Sequence, residues 1–482
     1  MVADEVVSKY EMTIGIECHV QLATRTKLFS GADNDARGKE PNSVVSPIDY
    51  GLPGMLPVLN RQAIDLAVKA AKAMNAEVAT ISRFDRKHYF YPDLPSGYQI
   101  TQMYHPTILA GWIEAPLDDG TGIKVRINHA HIETDAGKLT HYNEYSLVDY
   151  NRAGTPLIEI VSEPDMHTPA QARAYATELY RLMTYAGVTH GDLYHGNMRF
   201  DVNLSVALKG SDTLGTRTET KNLNSFRSVE KAAEYEFRRQ IALIEQGERI
   251  IQETRGWDEA KQQTTSQRSK EDAQDYRYMP DPDIPPIILT PEEIEAIQVT
   301  VPLLPPAYRD KWLVMQLDRS VTESLLASQQ FAALVTLVQE QAGNGIGKKV
   351  AHWFASALGR SEGEPVPVKA ELTPEPFIEL ATMVEANELS STAAKDVFVT
   401  LLTSDQSARH IAQSKNLLQV SDEAAIAALV DEVLRDPASQ KSIEDVRAGK
   451  DKAIGYLVGQ IMKKSAGKAN PGLAQKLIKE RL

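Results

Sequence analysis

The sequence predicts an α+β protein, a mixed or antiparallel sheet followed by helices, and three observations carry that prediction. Up to residue 289, several segments alternate apolar and polar residues with a period of two, the pattern of strands with one wet face. From Thr290 the apolar period becomes helical, strand signals nearly vanish, and Thr290-Pro291-Glu292-Glu293 reads as a helix start. The proline cluster Pro280, Pro282, Pro285 and Pro286 separates the two regimes. A chain of 482 residues is too long for one ordinary core. The expected domains are residues 1–289, 290–406 and 407–482, with the second seam near Thr403 to Arg409.

Tyr10 to Leu22 is the first strand. Ile14, Ile16, Cys18, Val20 and Leu22 share one face, and Thr13, Gly15, Glu17, His19 and Gln21 the other. Glu17 and His19 stand side by side there, as two ligands for one cation would; a solvated face has the same letters. Cys18 lies on the apolar face and reads as a core residue rather than a nucleophile. Lys27 to Pro57, rich in Gly, Pro, Asn and Asp, is a long loop, and loops of that length are usually functional or ligand-supported. A helix then runs from Asn60 as its cap through Ile64, Ala67, Val68, Ala71 and Met74. Arg83 to Gln102 mixes basic and aromatic residues around turn signals, either a substrate-facing loop or an aromatic minicore.

Lys124 to Lys138 is a second polar-faced strand, with His129, His131 and Glu133 on one side. The trio resembles metal ligands, but no HExxH or CxxC spacing supports zinc. Asn151 to Pro156 is a tight turn that leads into a strand, Leu157 to Val161. Glu159 shares a face with Leu157 and Val161, so it is either an edge glutamate in water or a metal or proton-transfer carboxylate. Thr168-Pro169 opens a helix that stops at Gly187. Met198 to Val206 places Arg199, Asp201, Asn203 and Ser205 on one side, and Thr216 to Lys221 does the same for Arg217, Glu219 and Lys221. Four strands therefore collect acids and bases on one face. Metal-nucleotide chemistry needs that combination, because carboxylates hold Mg²⁺ and cations neutralise phosphates.

Ser228 to Gln246 is an amphipathic helix ended by Gly247. Gln252 to Pro286 is either a phosphate-contacting arm carrying Arg268, Lys270, Arg277 and Tyr278, or a solvated linker. Gly343 to Lys349 imitates a phosphate loop but has Ala342 and Lys349 where Gly and Ser or Thr are required, so it reads as a helix-helix loop.

No apolar run approaches bilayer length and the N-terminus lacks a signal layout, so a cytoplasmic protein without a membrane partner is expected. One cysteine excludes an internal disulfide framework. A net charge of −13 argues against a generic polyanion binder, and DNA is not an expected partner. Arg447, Lys450, Lys452, Lys463, Lys464, Lys468, Lys476, Lys479 and Arg481 nevertheless concentrate base at the C-terminus, either an RNA footprint or a solvated face.

Together GIECHVQL, KLFSGADND, FDRKHYFYPDLPSGYQITQ, HIETDAGK, VDYNRAGTPLIEIVSEPD, MRFDVNLSV, TRTETKNLNSFRSVEKAAEYE, QETRGWD and DYRYMPDPDIPP resemble the B-subunit family of the bacterial heterotrimeric aspartyl/glutamyl-tRNA(Asn/Gln) amidotransferases. The resemblance covers essentially the whole chain. It implies a cradle-shaped catalytic domain, a helical domain, and a mobile YqeY-like tail that contacts tRNA. It also implies that Glu17, His19, Glu133 and Glu159 bind the Mg²⁺ that serves ATP. The implied reaction phosphorylates the side-chain carboxylate of Glu-tRNA(Gln) or Asp-tRNA(Asn), after which ammonia displaces phosphate. In the family an amidase-like A subunit makes the ammonia, and a small C subunit wraps both.

Arg199, Asp201, Arg217 and Lys221 are expected at the nucleotide phosphates from their shared face, not from the family. Lys87 and Thr134 are expected along the ammonia tunnel. Many relatives carry zinc cysteines where this chain has Ser30, Ala32, Ser46 and Asp49, so no zinc is expected. Relatives also carry an acid and a lysine where this chain has Thr134 and Ser96, so a polar ammonia gate must work differently. A tRNA-binding scaffold and a free-amino-acid ligase are the competing readings. The acid-and-base face disfavours the first, and the basic tail the second.

Overall fold

Alternation at the N-terminus becomes β1 (Tyr10–Gln21), whose Ile14, Ile16, Cys18 and Val20 are at most 1% exposed. The computed structural model describes residues 3–269, 275–358, 367–419, 423–448, 450–465 and 469–482, so Lys270 and Lys468 lie outside the described residues. The other strands are β2 (Ile81–Ser82), β3 (Asp85–His88), β4 (Tyr98–Thr101), β5 (Gly111–Pro116), β6 (Gly122–Thr134), β7 (Lys138–His141) and β8 (Ser146–Asp149). They continue with β9 (Pro156–Ser162), β10 (Met198–Leu208), β11 (Thr218–Leu223), β12 (Glu253–Asp258), β13 (Gln263–Ser269), β14 (Met279–Pro280) and β15 (Ile287–Ile288).

Eight of them form a mixed sheet in the order β13-β12-β11-β10-β1-β9-β6-β5, antiparallel except at β11 and β12. The helices Arg61–Ala73, Pro169–Tyr185 and Phe226–Glu245 bury their apolar stripes against one face of this sheet in a single core. Each starts at the kind of cap that satisfies orphan N–H groups: Asn60, Thr168 and Ser225 all accept a backbone bond. The polar face is thereby left for chemistry.

Three strand pairings leave no legible mark in the sequence. Arg83 to Gln102 is a hairpin, β3 and β4 joined by a loop that carries Tyr89, and it pairs with β14 in a small sheet of its own. Within Gln252 to Pro286, β12 and β13 extend the main sheet. Glu253 and Arg255 share one face of β12 with the core residue Trp257, so charge interrupts its apolar pattern. Arg255 bonds buried Glu236 at 3.0 Å and also pairs with Glu253. The polar strand at Lys124 ends at Thr134, and β7 and β8 make a separate hairpin.

The proline cluster lies inside the first unit. β14 pairs with β3, β15 pairs with β2, and Arg86 bonds Asp281 and Asp283, each at 2.7 Å, so residues 279–288 are stitched into the first unit. The helix Pro291–Gln298, opened by a capping box at Thr290, also packs Ile294 and Ile297 on that core. The chain divides into compact units 1–305 and 306–482. In the second unit the helix Gln329–Leu358 breaks at one residue, Gly343, with φ 85° and ψ 173°, in place of the expected loop. The expected seam, Thr403 to Arg409, falls at the junction between the helices Ser391–Leu401 and Ala408–Ser414. Ser407 caps a helix, Ala408–Ser414, and Arg409 pairs with Glu388 at 2.7 Å, whereas the separate tail core begins at Ile426. Among the described residues no single helix is long and apolar enough to cross a membrane.

Gly154, in the turn before β9, is held at φ +81°, and a Cβ there would sit 2.6 Å from Asp49 Oδ1. Asp49 organises the long loop. It accepts from Ser30 Oγ at 3.0 Å and Ser46 N at 2.9 Å, and pairs with fully buried Lys27 at 3.4 Å. Gly154→Ala is expected to cost at least about 1–2 kcal/mol from the left-handed backbone alone, with further loss as Asp49 is displaced. Urea unfolding of the variant checks this.

Candidate active site

Register assembles the site from four strands. His19 on β1 lies opposite Arg199 on β10 and Glu159 on β9, and Glu159 in turn lies opposite His131 on β6. Glu133 follows two residues after His131, on the same face. His19 Nε2 stands 3.6 Å from Glu133 Oε1 and 3.5 Å from Glu159 Oε2. His131 Nε2 stands 3.6 Å from Glu133 Oε2 and 3.4 Å from Glu159 Oε2. The ligand atoms of His19, Glu133 and Glu159 all fall within 4.8 Å of one another.

Glu17 does not join them. It lies opposite Asp201, accepts from Asn203 Nδ2 at 3.0 Å, and forms a second group with Asp201 and Glu219, again within 4.8 Å. The four residues implied for one ion are thus divided between two clusters. Sequence reasoning misses Glu219 as a ligand, although the strand pattern puts it on the right face. What the pattern lacks is register: pairing with Asn203 carries Glu219 to Glu17. His131 stands out in the sequence only as one of a trio.

The cations are distributed around these acids. Lys221 Nζ bonds Asp201 at 2.9 Å and Glu219 at 3.1 Å. Arg199 pairs with Asp135 at 3.1 Å. Lys87 lies over the Tyr276 ring at 4.9 Å, with the charges of Glu133 and Glu159 acting on it. Arg217 is not brought to the site, because β11 begins only at Thr218 and Arg217 is exposed before it. Arg277 is exposed as well. A cavity of about 290 Å³ lies over the clusters, lined by His19, Tyr89, Glu133, Arg199, Asp201 and Lys221. Thr134 and Ser96 line a smaller neighbour of about 190 Å³.

Burial disfavours charge on His19, but the hydrogen bond and charge of Glu159 and the charge of Glu133 overcome it and raise its pKa to about 8. Against the same burial penalty, Glu133 and Glu159 raise His131 to about 10. Glu159 is held well below the usual carboxylate range, since the two imidazoles outweigh its burial. Glu17 moves the other way, raised by burial and by the charges of Glu159, Glu219 and Asp201. One cluster is balanced by imidazolium, and the other in part by the Lys221 ammonium on Asp201 and Glu219.

Both sets suit a hard divalent cation. They are rich in carboxylate oxygen, fixed on adjacent strands, and lack thiolate, Cys18 being buried on the opposite face. A raised folded-state pKa contributes stability that is complete below the ordinary histidine value near 6.5 and lost as pH rises through the folded value. Metal-free protein should therefore lose melting temperature as pH rises through about 8 and toward about 10. A cation needs neutral His19, so its stabilising effect should grow between about 6.5 and about 8. Melting in EDTA and in MgCl₂ across this range checks both signs.

Comparison with known proteins extends this picture across the chain. The GatB/GatE catalytic domain family model matches residues 12–295, and the GatB domain model matches residues 336–482. Curated proteins of similar sequence include the B subunit of the aspartyl/glutamyl-tRNA(Asn/Gln) amidotransferase of Carboxydothermus hydrogenoformans, 42% identical over 98% of this chain and 99% of that protein. Similar too are the protein of the same name from Alkalilimnicola ehrlichii, 44% identical over 98% and 99%, and one from a Synechococcus strain, 43% identical over 98% of each.

Proposed function

The chain belongs to the GatB/GatE family, and on that premise we propose that it is the transamidating subunit of a tRNA-dependent amidotransferase, acting on Glu-tRNA(Gln), Asp-tRNA(Asn) or both with ATP. The observation that carries the reading is the pair of acid clusters, His19-Glu133-Glu159 and Glu17-Asp201-Glu219, set on one sheet face with Lys221 and Arg199 beside them.

A side-chain carboxylate is a poor acyl donor because oxide is a poor leaving group. An oxygen of the carboxylate attacks the γ-phosphorus of ATP, ADP departs, and an acyl phosphate forms. Ammonia then attacks the carbonyl carbon, the bond to the phosphate oxygen breaks, and phosphate leaves with its electron pair as the nitrogen gives up a proton. When bound at the two clusters, Mg²⁺ supplies charge neutralisation for the phosphate oxygens. His19, Glu133 and Glu159 would hold one such ion, and Glu17, Asp201 and Glu219 would hold the other. Lys221 and Arg199, each fixed by its acid partners, add cationic charge toward the transferring phosphoryl group without having to reorganise. No protein nucleophile is required, in keeping with the buried Cys18.

The remaining roles follow from the same reading. An amidase-like A subunit supplies ammonia and a small C subunit joins it. Lys87 and Thr134 stand on the ammonia side of the site, with Thr134 in the smaller cavity. The Lys27 to Pro57 loop is held by Asp49 and its Ser30, Ser46 and Lys27 partners. Charged tRNA meets the helical domain and the tail, where Arg447, Lys452 and Lys463 are exposed. The reaction runs in the cytoplasm. The test is conversion of each mischarged tRNA by the copurified complex with ATP, Mg²⁺ and ammonium chloride. Product that appears without ATP, or from free glutamate, contradicts the reading.

A further inference from the structure

A larger cavity lies beside the acid clusters, not over them. It measures about 440 Å³ and is bounded by the loop around Arg37, the base of the β7-β8 hairpin, Arg152, and the turn from His190 to Asn197. Three cations, Arg37, Lys138 and Arg152, face two carboxylates, Asp35 and Asp149, in its wall. It touches the metal cavity at one ion pair: Arg152 reaches Asp135 at 3.3 Å, and Asp135 lines the cavity over His19 and Glu133.

Tyr194 forms part of this wall and leaves its ring 94% exposed. Single exposed aromatics are ordinary, but the loop that carries this one is fixed at both ends. Asp192 accepts from His195 N at 3.0 Å and pairs with His195 Nδ1 at 2.6 Å. Asn197 Oδ1 accepts from Asp192 N at 3.1 Å, while Asn197 Nδ2 donates to Gln21 on β1 at 3.0 Å. Gly191 and Gly196 take the left-handed conformations the turn demands, at φ +71° and +70°. A rigid loop presents the ring at little ordering cost.

We propose that this second cavity is an adenosine subsite, with Tyr194 as the face on which the base stacks and Arg152 and Lys138 as the cations nearest its phosphate or ribose. The inference rests on the transamidation reading. Both nucleotide substrates of that reaction present adenosine, ATP as its nucleoside and tRNA as its 3′-terminal residue, and the reactive end of either must reach the acid clusters. The Arg152-Asp135 junction is where a nucleotide seated beside those clusters would turn into them. Stacking on an aromatic side chain tolerates little substitution by an aliphatic one, and its loss weakens binding by about tenfold to a hundredfold.

The test uses the copurified complex with ammonium chloride as nitrogen donor and compares wild type, Tyr194→Ala and Tyr194→Phe. Tyr194→Ala should raise KM tenfold or more for one substrate, with kcat nearly unchanged and Tyr194→Phe restoring it. If the affected KM is that for ATP, the nucleoside is that of ATP. If it is that for charged tRNA, inhibition of wild type by uncharged tRNA should weaken when the terminal adenosine is removed, and inhibition of Tyr194→Ala should not. Both KM values unchanged within twofold in Tyr194→Ala would overturn the subsite. Wild-type complex that converts neither tRNA would instead overturn the transamidation reading, so the two failures are distinguishable.

Discussion

Glu133→Gln should lower transamidation by at least about 10²–10³-fold, the range found when one preorganised electrostatic contact to a transition state is lost, while leaving the fold intact. The side chain is 4% exposed, and its two oxygens face His19 and His131, each at 3.6 Å. Glutamine keeps the shape but removes the charge, so the metal cluster loses one of its two carboxylates and both imidazoles lose a counter-ion. Two readouts separate this from simple unfolding. Unfolding in EDTA should stay cooperative, with a loss of melting temperature that shrinks as pH rises and the imidazoles discharge, and the stabilisation by MgCl₂ should shrink. A variant that stays active in saturating Mg²⁺ would remove Glu133 from the chemistry and favour a scaffold role.

Glu219→Gln is expected to act differently, raising the Mg²⁺ concentration for half-maximal activity by about 10- to 100-fold, the scale of loss when a metal site's carboxylate support is removed. Glu219 is held by Thr254 Oγ1 at 2.7 Å and Lys221 at 3.1 Å, and it completes the group with Glu17 and Asp201. Its loss leaves His19, Glu133 and Glu159 untouched. Activity should therefore return in part at high Mg²⁺, which Glu133→Gln should not allow. Magnesium titrations of both variants, at fixed ATP, decide between one functional cluster and two.

The alternating strands make half of this site readable in the sequence. A period of two places Glu17 and His19, or His131 and Glu133, on a common face with no knowledge of the partner strand. It says nothing of register, and register sends Glu17 to Asp201 and His19 to Glu159. What holds the proline cluster is hidden for a related reason. Pro280 to Pro286 have the composition of a linker, but the contacts that hold them, Arg86 with Asp281 and Asp283, come from about two hundred residues away in the chain and leave no local trace. β12 is hidden because the ion pairs of Arg255 share its inward face with Trp257 and break the apolar alternation. Arg217 illustrates the opposite error, a shared face inferred for a residue that lies just before its strand.

On the proposed mechanism the sheet's polar face transfers phosphate to the substrate carboxylate. The most direct measurement labels the side-chain carboxylate of Glu-tRNA(Gln) or Asp-tRNA(Asn) with heavy oxygen and follows the label during conversion by the complex with ATP, Mg²⁺ and ammonium chloride. Activation as an acyl phosphate predicts that each turnover carries one labelled oxygen into inorganic phosphate. Amide product with no label in phosphate would contradict it.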